Sequence, residues 1–363
     1  MTSNKHSHPQ KLPVDVKINS FTKELSQAHY SLGVLEGAHK NLQNPMLLIA
    51  PLTTKEATAS SRIEGTYSDA SDVFVFEATG EEKDQDTAEV ANYRKAMLSA
   101  IHDVQQGREL TLHFIKSLHG ILLKNVRHRG KIGDFREDTV FIAEKSDDSI
   151  EDALYVPPEP YKVTEYMENL MDYIKHSDDD PLVKAALAHY QFEAIHPFED
   201  GNGRIGRLLI PLLLFHEQQL SFPIIYLSGY FDEHRDLYLD KLHAVDKNNE
   251  YEEWLKFFLK TVKEQSEHTQ GLINKVYKLY DTLRERLQKE SSKSPYVVPY
   301  LEFMFDSPVF TIPKLKEKLD ASRATCVRLT KMLQEKNLIK QLPGYHQRAK
   351  LYAFTPLINL LSE

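Results

Sequence analysis

Twelve consecutive residues, His196-Pro-Phe-Glu-Asp-Gly-Asn-Gly-Arg-Ile-Gly-Arg207, separate two strongly apolar helical patterns and constrain this chain more than any other stretch. The first pattern begins at Pro181 and runs to about Ile195; the second runs from Arg204 to about Leu220. Proline disfavours helix at the residue before it, so the first helix has to stop ahead of Pro197. A short loop then carries Asp200 and the turn Gly201-Asn202-Gly203, whose glycines permit backbone conformations that aim several N–H groups at one point. The N-terminus of the second helix faces the same point, and the combination suits phosphates. Arg204 and Arg207 lie three apart, so they share a helical face. Their guanidinium forks can clamp two phosphate groups. Asp200 is a hard oxygen ligand, suited to a Mg²⁺ that bridges phosphates. His196, at the edge of the loop, is the nearby group able to accept a proton near pH 7. Each feature alone is commonplace; together, in this order, they read as a phosphate-handling site.

Around this stretch the periodicity predicts a mainly helical protein with one small hairpin. Residues 1–17 read as a disordered leader. Residues 18–109 form an N-terminal helical region with a break at Asn44-Pro45, a polar loop at Gly80–Thr87 and a long helix over Ala88–Gln106. A core over 110–288 follows, with helices at Leu110–Asn125, Tyr161–Lys175, Tyr238–Ala244 and Glu250–Glu267. Two short strands, Thr139–Ala143 and Ala153–Val156, flank a polar turn. Lys289–Ser294 reads as a linker to a separate module over 295–363. That module has helices at Val298–Met304, Thr311–Leu319 and Ser322–Lys336. A two-stranded wing with a Pro343-Gly344 turn completes the pattern of a winged helix-turn-helix.

Composition narrows the setting. The longest apolar run, Leu208–Phe215, is eight residues with a proline inside, far short of the roughly 20 needed to span a bilayer. Met1–Pro13 is polar, without the apolar core of a secretory signal, and the single cysteine, Cys326, has no internal disulfide partner. A cytoplasmic protein with no membrane contact is the expectation. The net charge of −8 is uneven. Thr311–Lys350 holds ten Lys or Arg against Glu317, Asp320 and Glu335, a balance of +7 that leaves −15 for the rest. A basic module on an acidic body suits a polyanion, although such modules also serve as docking or dimerisation units. DNA contact through 311–354 and a second copy of the chain both stand as candidate partners.

The twelve-residue stretch resembles the motif of the Fic (filamentation-induced-by-cAMP) proteins, HxFx(D/E)GNGRxxR. His196, Phe198, Asp200, Gly201, Asn202, Gly203, Arg204 and Arg207 meet every fixed position. The resemblance implies a Fic-type helical core with a β-hairpin flap, and transfer of AMP from ATP to a hydroxyl side chain of a target protein. It implies that His196 is the base, that Phe198 anchors the loop and that Asp200 holds Mg²⁺. Asn202 and the glycine amides, Gly206 among them, would hold the α- and β-phosphates, and Arg204 and Arg207 the β- and γ-phosphates. The strand pair within 139–156 would be the flap, pairing with the target's backbone by strand addition. Tyr238 and Tyr226 are candidates for the adenine pocket.

Ser60-Ser-Arg-Ile-Glu64-Gly65 places Ser60 and Glu64 four apart, on one helical face, with Gly65 as the expected cap. A carboxylate at a helix C-terminus opposes the macrodipole, so Glu64 calls for a partner elsewhere. The segment is similar to the inhibitory motif (S/T)xxxE(G/N) of the same family, which implies that Glu64 pairs with Arg207. The leading reading is thus a self-inhibited protein adenylyltransferase acting on Ser, Thr or Tyr hydroxyls. Two alternatives stand beside it: a Fic transferase with another donor (UMP or phosphocholine), and a nucleotide-sensing DNA-binding regulator. Phosphate-transferring relatives carry lysine where this chain has Gly203.

Overall fold

The computed structural model describes residues 6–40, 44–81, 84–142, 149–290, 294–343 and 350–362. Its frame is two apolar helices joined by the glycine loop. These are α7 (Pro181–Ile195) and α8 (Asn202–His216), numbered with the rest of the chain below. Asp180 caps α7 by accepting from the Leu182 amide at 2.9 Å, and Pro181 fills the first turn, where its missing N–H is no loss. All but two residues of α7 are buried, as a helix apolar on every side requires.

Packed around this pair are α1 (Thr22–Lys40), α2 (Ile49–Ile63), α3 (Ala70–Thr79), α4 (Gln85–Gln105), α5 (Leu112–Leu122) and α6 (Val163–His176) from the N-terminal side. From the C-terminal side come α9 (Ser228–Glu233), α10 (Arg235–Asn248) and α11 (Tyr251–Glu290). No described helix is long and apolar enough to cross a membrane.

The helix α11 spans 40 residues, far beyond the expected end at Glu267. Gly271 weakens the local propensity, but Leu272, Ile273, Val276, Tyr280, Leu283 and Leu287 are all buried and continue the apolar stripe. The expected linker at Lys289–Ser294 therefore begins inside this helix, and residues 291–293 lie outside the described residues.

The C-terminal module comprises α12 (Val297–Asp306), β1 (Val309–Thr311), α13 (Ile312–Leu319), α14 (Arg323–Glu335), β2 (Ile339–Gln341), β3 (Leu351–Phe354) and α15 (Thr355–Ser362). Its antiparallel sheet has the order β1-β3-β2, with Val309 opposite Ala353 and Ile339 opposite Phe354. Three helices followed by two paired strands appear in the expected order, with β1 and α15 as additions; Gly344 and Arg348 lie outside the described residues. The module is not set apart. Its α12 and α15 pack on α2 and α11, and β1 packs on α3, within one continuous apolar core.

Two further expectations change. Residues 6–17 are not a disordered leader. They run along the helical core, with Ser7 donating to the Val156 carbonyl at 2.7 Å and Leu12 exchanging two bonds with the Asn169 side chain. Leu12 is buried, and Val14 and Val16 are half-buried against the hydrophobic core. The hairpin within 139–156 is held by one antiparallel bridge, Ile142 with Tyr155, and residues 143–148 lie outside the described residues.

Candidate active site

At the C-terminus of α7 the backbone has to leave the helix because Pro197 follows, and His196 takes a left-handed conformation with φ 50° and ψ 62°. A helix end leaves its last carbonyls without partners. Here each one is met. The Glu193 carbonyl faces His196 Nδ1 at 3.3 Å, and the Ala194 carbonyl accepts from the Tyr155 hydroxyl at 2.8 Å. Arg136 takes the remaining two, donating to His196 O at 2.8 Å and to Ile195 O at 3.4 Å. Its guanidinium also reaches the carbonyls of Asp138 and Pro158, and its amide donates to Pro197 O. One buried arginine thus holds the histidine, the loop start and the flap strands together. Sequence reading passed over it.

With Nδ1 engaged as a donor to a carbonyl, His196 keeps Nε2 as a bare acceptor. Burial lowers its pKa to about 4, outweighing the opposing effect of the Glu193 carbonyl and of Glu64. It is a neutral base across the physiological range.

The loop beyond it is braced from inside. Phe198 is fully buried and stacks on His119 at 3.9 Å between ring centres. His119 accepts from the Gly133 amide and donates to Asp200 O, so it too stays neutral, with burial lowering its pKa to about 4. Asn202 does not face the cleft. Its side-chain amide spans the loop, accepting from Phe198 N and donating to Phe198 O, both at 2.8 Å. Arg204 is likewise spent inside, paired with Glu89 at 3.0 Å and with Asp200 at 3.4 Å. Both side chains were expected on phosphates; instead Asn202 bonds within the loop, and Arg204 ties the loop's Asp200 to Glu89 of α4.

The remaining motif residues meet in a cleft of about 750 Å³, lined by His196, Gly203, Arg207, Tyr238, Glu193 and Glu64 and flanked by Phe141 and Leu154 of the flap. Tyr238 is buried, stacked on Phe231 and bonded to His189 at 2.9 Å. Tyr226 instead faces a second cavity behind α2, so it leaves the site.

Glu64 caps α2. Gly65, at φ +83°, donates to Arg62 O, and Thr66 donates to Ser61 O, the paired bonds of a Schellman turn. This turn points Glu64 at Arg207, with Oε1 accepting from Nη2 at 2.6 Å. Ser60 adds its hydroxyl and its carbonyl, each accepting from Arg207 at 2.9 Å. Burial acts to raise the Glu64 carboxyl, but the charge and hydrogen bond of Arg207 outweigh it and hold it below the usual range. The close approach needs a glycine at 203: a Cβ there would stand 2.1 Å from Glu64 Oε1. Gly206 plays the same part for Glu193, whose Oε1 is buried without a partner and whose carboxyl burial pushes up to about 8.

No group of three or more His, Cys, Asp or Glu gathers among the described residues to hold a metal. Asp200, with about a third of its side chain exposed, offers one carboxylate. That fits a Mg²⁺ held mainly by water and a nucleotide's own phosphates.

Fold and site together define a glycine-rich loop clamped between two buried helices, with a neutral histidine on one side and an arginine on the other. The Fic/DOC family model matches residues 109–214, and the Fic/DOC family N-terminal model matches residues 22–102. This chain belongs to the Fic/DOC family. It is 30% identical over 138 residues to the protein adenylyltransferase Fic of Nematostella vectensis, covering 37% of this chain and 29% of that protein. It is 29% identical over 154 residues to the protein adenylyltransferase fic-1 of Caenorhabditis elegans, covering 42% and 26%. The matched stretch is thus under a third of either relative's length. A Fic family protein from Desulfovibrio desulfuricans G20 has the same fold over 96% of this chain and 98% of its own, with a TM-score of 0.60 at 18% identity. C. elegans Fic-1 (residues 134–508) superposes with a TM-score of 0.54 at 20% identity, over 73% and 75% of the two chains.

Proposed function

We propose that this chain is an ATP-dependent protein adenylyltransferase held in check by Glu64. One observation carries the reading: a neutral His196 with a free Nε2 and an anchored Arg207 line the same cleft, with Glu64 seated on the arginine. In the reaction, the target's hydroxyl loses its proton to His196 Nε2 as its oxygen bonds to the α-phosphorus. The bond from that phosphorus to the bridging oxygen breaks, and pyrophosphate leaves. Positioning and charge neutralisation supply most of the rate in such displacements. The amides of the Gly201–Gly203 turn and the start of α8 would cradle phosphates. Arg207, once released from Glu64, would take the terminal phosphate. Asp200 would hold Mg²⁺, which on binding neutralises phosphate charge. Tyr238 and the apolar wall beside it offer a surface for the adenine. Phe141 and Leu154, 39% and 48% exposed on the flap, offer an apolar edge for a target segment.

Parallel incubation with α-labelled and γ-labelled ATP, followed by mass spectrometry, tests the reading. AMP transfer puts label on protein from the α position only. Label from γ, or none from either in the Glu64→Gly variant, overturns it. His196→Ala should lower labelling by about 10²–10⁴-fold.

A further inference from the structure

We infer that the exposed face of α14 binds the major groove of duplex DNA. The helix buries Cys326, Leu329, Thr330 and Leu333 against its own module. Its other face, Arg323, Ala324, Val327, Arg328 and Lys331, is open to solvent, with Val327 48% exposed. These positions follow the i, i+1, i+4, i+5, i+8 spacing of a single stripe. Among the described residues no ion pair engages Arg323, Arg328 or Lys331, so their charge is available.

The local geometry fits a duplex. Asp320-Ala321-Ser322 forms a tight turn between α13 and α14, with Asp320 at φ 44° and the Ser322 hydroxyl capping α14 through Thr325 N at 3.1 Å. The second helix of such a pair presents its N-terminal half, where Arg323, Val327 and Arg328 lie. The major groove is wide enough for one helix. Exposed Lys340 and Lys350 lie on or beside the wing strands. Charge then sets orientation. The 311–350 segment carries +7 while the remainder carries −15, so a polyanion is repelled by the body and drawn to this module.

Fluorescence anisotropy of the full chain with a mixed-sequence duplex tests this. Micromolar affinity is expected at about 50 mM salt. Three phosphate contacts give a salt slope near −2.7, so a fourfold rise in salt should weaken binding about 40-fold. Arg323→Glu/Arg328→Glu/Lys331→Glu should lose binding at least tenfold and flatten that slope. Lys331→Gln alone, a milder change for folding, should reduce the slope by about 1. No binding by the parent at low salt overturns the inference. So does equal affinity in a triple variant that melts with the parent. Polyglutamate bound as tightly as DNA would show a surface that reads acidic polypeptide instead, and would also overturn it.

Discussion

Glu64→Gly removes the carboxylate and the arm that reaches Arg207, and the structure sets the size of the effect. A unit-charge pair about 4 Å between centres is worth up to about 4 kcal/mol at an effective dielectric near 20. The Glu64 side chain keeps 40% of its exposure, so water screens the pair and about 2 kcal/mol is the working figure. Since 1.4 kcal/mol is tenfold, the competent state rises about 30-fold. Arg207 stays oriented in the variant, because both Ser60 bonds remain. Position 64 has φ −86° and ψ 3°, a conformation open to most residues, so the backbone should not move. Glu64→Gln keeps a hydrogen-bonding arm without the charge and should rise less, about fivefold. The assay is self-labelling from α-labelled ATP, with melting curves to confirm folding. A Glu64→Gly protein that melts like the parent and labels within twofold of it would refute the latch.

Three other outcomes are expected. In the Glu64→Gly background, labelling should stay level from pH 8 to pH 6. The depressed pKa of about 4 keeps His196 neutral there, whereas an ordinary histidine would lose half its base form near pH 6.5; a pH–rate profile decides. Arg136→Gln strips the last carbonyls of α7 of their donor. It should lower labelling by about 10²-fold and stability by about 3 kcal/mol in denaturant titrations. Gly203→Ala should cost about 1–3 kcal/mol of stability in the parent, and less in the Glu64→Gly background, where the nearest clashing atom is gone; a double-mutant cycle measures the difference.

What the chain spelled out locally was legible. His196, the glycine turn and the Ser60–Glu64 pair depend on spacings of a few residues, and those spacings convert directly into faces and turns. Arg204 and Arg207 show the limit. Three residues apart, they look interchangeable, yet Arg204 meets Glu89 across 115 positions and Arg207 meets Glu64 across 143. The Glu64–Arg207 pair was expected from the resemblance to the family's inhibitory motif, whereas Glu89 was not, because which acid an arginine finds depends on the neighbouring helix. Arg136 was silent for the same reason, since its principal acceptors are backbone carbonyls some 60 positions away. The length of α11 and the docking of residues 6–17 were likewise decided by tertiary burial, which overrode a glycine in one and weak periodicity in the other.

The setting of α2 has a consequence for the speed of control. Eleven of its fifteen residues are buried, and it is wedged among α4, α9 and the C-terminal module. Undocking such a helix is a sub-global opening, a slow and rare event. The Glu64 side chain, by contrast, sits at the helix end with partial access to water, and an exposed rotamer turns within nanoseconds once its ion pair parts. On the proposed function, release would run through three side-chain torsions and leave the backbone where it was. The restrained and released proteins should share one amide hydrogen-exchange pattern along residues 49–63, even as their labelling rates differ.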